Sequence, residues 1–296
     1  MAEKNLQYSK ILELNLAVLF ISTSGVLGRY ITLSPFVTIF YRTLLAAILF
    51  YLFCRFKKLD LRISNKRDVL KILLSGLLMA GHWVAYFFAL QYSNVAIGIL
   101  SLFTYPVITV FLEPLILKTK FSKSHLALGL LVLLGVYFLV PEISLENNYT
   151  IAVLMGMLSG LFYALRNILM KQEIEKYNGS VLMMHQIIVV AIVLSPVLFF
   201  SDFNEVVVQW APLLTLAIVT TCIGHTLFLM SLKNFSTTAA SIMSSAQPLY
   251  AIILGILFLS EYPSLKTIIG GTLIISAVII ESIRSLRKNS SVEGID

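Results

Sequence analysis

Five ionisable side chains fall inside long apolar runs: Arg42, His82, Glu113, His185 and His225. In a membrane each such group costs about 3 kcal/mol or more and normally faces protein or a water-filled cavity. His82 belongs to GHWVAYF, which brings a titratable ring together with the aromatic faces of Trp83 and Tyr86; Tyr86 is four residues on and shares the helical face of His82. This set can recognise a small amphiphilic molecule. It is not a set for breaking bonds. The chain has no HExxH, no GxSxG and no paired intramembrane carboxylates, so no catalytic residue, metal ligand or cofactor is expected. Arg42 cannot discard its proton and is a candidate either for binding an anionic group or for organising helices. Glu113 and Arg166, nearer the ends of their runs, are candidates for an inner-gate ion pair or for ordinary interfacial residues.

These side chains must be positioned by helices in lipid. Hydrophobic residues make up 58% of the chain, charged residues 12%, and mean hydropathy is +0.90. About ten apolar stretches of near-spanning length emerge, at 11–31, 36–55, 69–91, 94–117, 124–140, 151–171, 180–200, 210–232, 236–259 and 264–285. They are continuous and lack the alternation of a membrane barrel. The lysines and arginines fall in the even-numbered loops, from Arg55 to Arg67, at Lys118, Lys120 and Lys123, and at Lys171 and Lys176, and again in the tail. Those loops and both termini are therefore expected in the cytoplasm. Topology also accounts for the net charge of +7, so no nucleic-acid partner is expected.

An internal repeat sets the architecture. TYPVITVFL at 104–112 and AQPLYAIIL at 246–254 place Pro106 and Pro248 in corresponding apolar runs. Aligning residues 89–117 with 231–259 pairs Gly98 with Ala240, and the following helices pair Gly129 with Gly271. Upstream, a one-residue shift pairs His82 with His225. Residues 1–140 and 151–296 then form two five-helix repeats. An odd number of crossings inverts the second, giving an all-α membrane protein of ten transmembrane helices. Each proline is expected to kink its helix and to free the carbonyl four residues earlier, on Leu102 or Ser244. With His82, Trp83, Tyr86 and His225, the residues Ser101, Tyr105, Ser244 and Gln247 are expected to line a midplane cavity. Gly156 and Gly160 form a GxxxG, and Gly129, Gly135, Gly270 and Gly271 likewise allow close helix contact, expected within the monomer.

The doubled five-helix arrangement, Arg42 in FYRTLLAAILF, Pro106, Pro248, and Glu261 in GILFLSEYPSLKTIIGG together resemble the drug/metabolite transporter superfamily, EamA type. The resemblance covers nearly the whole chain. Thr119 stands where the family usually has a first-half glutamate, and helix 1 reads STSGVLGRYI where a tryptophan-glycine pair is common. The resemblance implies a multi-pass carrier of the bacterial inner membrane that exports amino acids or similar amphiphilic metabolites by alternating access. A passive channel or facilitator for small solutes is the alternative. Proton coupling through His82 or His225 and uncoupled export both remain open, as do monomer and homodimer.

Overall fold

The computed structural model describes residues 2–118, 124–139, 144, 146–235 and 237–292, so Thr119, Lys120, Lys123 and Glu142 lie outside the described residues. Every regular element among them is helical. Eight α-helices carry the first two-thirds: α1 Ala2–Tyr30, α2 Pro35–Phe56, α3 Lys66–Tyr92, α4 Val95–Leu102, α5 Tyr105–Leu117, α6 Ser124–Leu139, α7 Asn148–Glu173 and α8 Gly179–Leu194. The remainder comprises α9 Phe203–Val208, α10 Trp210–Thr215, a π-helical segment Leu216–His225, α11 Thr226–Ser231, α12 Thr237–Met243, a 3₁₀ turn Ser244–Ala246, α13 Gln247–Leu259 and α14 Leu265–Val292.

The helix starts follow from short polar caps. Asn65, Asn94, Asn147 and Asn178 each accept a backbone N–H from the first turn of α3, α4, α7 and α8, satisfying one of the donors that a helix start leaves unpaired. Among the described residues, seven helical stretches are long and apolar enough to cross a membrane: Ser9–Tyr30, Pro35–Phe56, Lys66–Tyr92, Val95–Ile116 (α4 with α5), Asn148–Glu173, Gly179–Phe199 and Trp210–Ser231. Three shorter apolar helices, Ala127–Leu139, Ser244–Leu259 and Leu265–Ile280, coincide with the other three apolar stretches of the sequence. Leu130, Leu257 and Phe258 face outward, whereas Arg42, Arg166, Glu173 and Gln186 are fully buried. Apolar outside and polar inside is the arrangement expected when lipid is the solvent.

The prolines behave differently from the kinks expected of them. Pro106 and Pro248 lie in the first turns of α5 and α13, where a missing N–H costs nothing, and the break falls just before each helix. The carbonyl of Ser244 is not left free: the 3₁₀ turn delivers the Gln247 N–H to it. The pattern recurs at a fixed spacing. Val95 and Thr237 begin the first segments, Tyr105 and Gln247 begin the second, and Leu117 and Leu259 end them. Each pair is 142 positions apart, as are Lys118 and Ser260, both left-handed C-caps with φ 56° and 55°.

Two glycine pairs bring backbones together. A Cβ on Gly156 would collide with the Ser101 hydroxyl, and one on Gly160 would lie 2.8 Å from the Leu102 carbonyl. The GxxxG of α7 is therefore a groove in the monomer that seats the α4–α5 break. Gly135 of α6 faces Gly270 of α14 in the same manner, each added Cβ lying 2.8 or 2.6 Å from the other's carbonyl oxygen. The most extensive helix contact joins α3 to α7.

Candidate functional site

At the centre, α1, α3, the end of α4, α7, the end of the π-helical segment and the start of α13 enclose a small chamber. It is lined by Ile21, Ser24, His82, Trp83, Tyr86, Leu102, Tyr163, His225 and Gln247. Its volume is about 10 Å³, room for roughly one water. Five of the eight residues expected there line it: His82, Trp83, Tyr86, His225 and Gln247.

The other three are buried outside the lining. Ser101 gives its hydroxyl to the Ile97 carbonyl at 2.8 Å, Ser244 gives its own to Ala240 at 2.8 Å, and Tyr105 reaches the Ser241 carbonyl at 3.4 Å. A helical serine readily bonds the carbonyl one turn back. Tyr105 stands behind Tyr163, ring centroids 5.0 Å apart.

The histidines are tightly defined. Ser159 donates its hydroxyl to the His82 carbonyl at 2.9 Å, and its oxygen lies 2.8 Å from His82 Nδ1. A hydroxyl has one proton, so Nδ1 is the donor in that contact and the lone pair of the neutral ring is on Nε2. Tyr163 stacks on His82 at 4.4 Å, and Tyr86 lies parallel to it at 6.4 Å. The Trp83 indole donates to His225 Nε2 at 3.2 Å, which puts the proton of neutral His225 on Nδ1. His82 and His225 thus approach each other through Trp83 and Tyr163.

Arg42 is buried directly behind Trp83. Its guanidinium carbon sits 4.2 Å from the indole centroid, and its Nε donates to Thr221 Oγ1 at 2.7 Å. Thr221 lies on the π-helical segment and bonds back to the Leu216 carbonyl at 3.1 Å. Arg166, expected near a surface, is fully buried: its Nε donates to Gln186 Oε1 at 2.7 Å and its Nη1 to Asn167 Oδ1 at 3.0 Å. Glu113 is half-buried toward the end of α5 and is not among those partners. His185, also inside an apolar run, faces the Val181 carbonyl of its own helix at 2.8 Å.

Polar clusters close the bundle at both ends of α3. At its start, buried Glu173 meets Lys71 at 2.7 Å and Lys176 at 3.2 Å, Asp68 meets Lys176 at 3.0 Å, and Tyr177 donates to Asp68 at 2.9 Å. Hydrogen bonding to Asp68, reinforced by Glu173, raises the Lys176 ammonium above the ordinary lysine value. At the opposite end, Arg29 pairs with Glu261 at 2.9 Å, and the second Glu261 oxygen accepts the Val95 N–H at 2.8 Å. Sequence reading did not foresee either cluster as a closure. It also missed Ser24 and Tyr163, although Gly156, Ser159, Gly160 and Tyr163 follow one another at helical spacing on the α7 face that meets α3 and α4.

Helices of spanning length around a polar and aromatic chamber define a multi-pass membrane protein. The family model for the EamA-like transporter family matches residues 9–140 and again 150–283, and the chain belongs to that family. It is a membrane transporter with a small-molecule substrate, not an enzyme. Among its relatives, the uncharacterized transporter YxxF of Bacillus subtilis is 25% identical, covering 97% of this chain and 94% of its own. The pseudopaline exporter CntI of Pseudomonas aeruginosa UCBPP-PA14 is 26% identical, covering 89% of this chain and 93% of its own. One solved crystal structure shares the fold at a TM-score of 0.68 and 17% identity, covering 93% of this chain and 98% of that one.

Proposed function

We propose that the protein is a secondary transporter that exports a small amphiphilic metabolite across the bacterial inner membrane by alternating access. Ten transmembrane helices form two inverted repeats, 1–140 and 151–296, with both termini cytoplasmic. Substrate is held in an enlarged form of the central chamber by His82, Trp83, Tyr86, Tyr163, His225 and Gln247.

The observation that carries this reading is the chamber itself. Both halves of the chain supply its walls, and it measures about 10 Å³ between polar closures at the two ends of α3. A midplane chamber of this size between two polar clusters fits the compact state of a carrier. The breaks repeated 142 positions apart support the repeat, the cations in alternate loops support the orientation, and the likeness to an exporter supports the direction.

The test is counterflow of a metabolite panel in vesicles reconstituted with the native protein, His82→Ala or Gln247→Ala. At least one compound shows saturable counterflow with the native protein, and its KM rises or its rate falls about tenfold or more in both variants. Non-saturable conduction would support the passive channel or facilitator instead. Unchanged transport in both variants would remove the site.

A further inference from the structure

Arg42 and Arg166 are both fully buried, yet only one is satisfied. Arg166 spends its guanidinium on Gln186, Asn167 and the Met183 sulfur. Arg42 spends only Nε, on Thr221; Nη1 and Nη2 are buried with no hydrogen-bond partner among the described residues. Trp83 offers its π face, and Phe87 lies 5.9 Å away, but neither ring supplies a lone pair to those N–H groups. His225 completes the pattern. Its Nδ1 carries the proton, because Nε2 accepts from Trp83, and that Nδ1–H is also buried without a partner. Several unsatisfied donors thus flank one indole.

What these groups lack is an acceptor, and none is provided among the described residues. Among the described residues the buried carboxylates are Asp68 and Glu173, both engaged by lysines at the start of α3. Glu113 is outside the chamber lining. Two buried arginines therefore stand just outside the chamber lining, Arg42 directly behind the lining residue Trp83, and no described carboxylate lines the chamber. A planar guanidinium with a free edge matches a carboxylate in bidentate geometry. The rings of Trp83, Tyr86 and Tyr163 would cover an apolar body attached to it.

We infer that the substrate is an anion: a small carboxylate with an apolar body, its oxygens taken by Arg42 Nη1 and Nη2 and by His225 Nδ1–H when the chamber opens. This rests on the transporter reading and narrows its substrate class. The same arrangement discriminates against amines, because a cation would meet Arg42 with nothing to neutralise it.

Binding is read in full-length protein carrying Trp210→Phe, whose one remaining tryptophan is Trp83, by fluorescence titration. The probes are hexanoate, phenylacetate and 3-phenylpropionate, each beside its primary amide and the corresponding amine. At least one carboxylate should perturb Trp83 saturably, with its amide and amine weaker by about tenfold or more. Arg42→Gln should abolish that difference, and Arg42→Lys, which keeps the charge but loses the fork, should retain part of it. Arg42→Gln should also leave the unliganded unfolding temperature unchanged or raised, since it removes a buried charge without a counter-ion, whereas a purely structural arginine would lower it. The comparison of carboxylate, amide and amine needs no arginine variant, so it holds even if Arg42→Gln fails to fold. The inference is overturned if no carboxylate responds, if amides or amines respond equally, or if Arg42→Gln still prefers the carboxylate. If instead vesicles show no saturable counterflow of any solute, the transporter reading fails, and that result is separate.

Discussion

Ser159 does two jobs with one hydroxyl, accepting from His82 Nδ1 and donating to the His82 carbonyl. Replacing Ser159 by Ala would remove both bonds and leave His82 Nδ1 only the Ser159 carbonyl at 3.3 Å, a loss of about 0.5–1.5 kcal/mol per hydrogen bond. Thermal unfolding in detergent should show a lowered midpoint, and transport should fall because the ring that Tyr163 stacks on is no longer fixed. Loss of neither would mean that His82 is held by packing alone. At this scale the sequence revealed what is rare in lipid: His82, Trp83, His225 and Gln247 stand out in an apolar run, and all line the chamber. Ser24 and Tyr163 did not stand out, because serine and tyrosine are ordinary in membrane helices. Ser101 and Ser244 misled for the same reason, each having a carbonyl of its own helix within reach. The burial of Arg42 was not legible either, since the threonine and indole that hold it come from the π-helical segment and α3.

Helices are fitted to one another through glycine. Gly156 admits the Ser101 side chain, and Gly160 admits the Leu102 carbonyl, so α7 holds the α4–α5 break against α3. Gly156→Ala should destabilise the protein by about 1–3 kcal/mol through overpacking, and adding Ser101→Gly should recover a large part of that loss. Gly129→Ala is the control: its nearest neighbour is the end of the Phe111 ring at 3.1 Å, which can yield, so its effect should be smaller. Equal losses at both glycines, or no recovery in the double variant, would contradict this account of the groove. The apolar stretches and the proline spacing were visible in the sequence because length and hydrophobicity are local properties. The exact form of each break was not: whether a proline bends a continuous helix or opens a new one depends on whether the preceding turn tightens to 3₁₀, as it does at Ser244–Ala246.

Across the whole molecule, a central chamber lies between polar clusters at the two ends of α3, and family membership defines the protein as a transporter. The proposed cycle requires the Arg29–Glu261 pair and the Asp68–Glu173–Lys176 cluster to open alternately, exposing the chamber to one side at a time. These clusters were illegible because their partners lie far apart in the chain, whereas the breaks at Pro106 and Pro248 were legible because their spacing of 142 positions is written along it. The most direct measurement is the accessibility of Ser24→Cys, placed in the chamber wall, in full-length protein whose native cysteines carry Cys54→Ala and Cys222→Ala. A membrane-impermeant maleimide should label it from the outer face of right-side-out vesicles and from the cytoplasmic face of inverted ones, with a transported compound slowing both reactions. Labelling from one side only, or from neither, would contradict alternating access through this chamber.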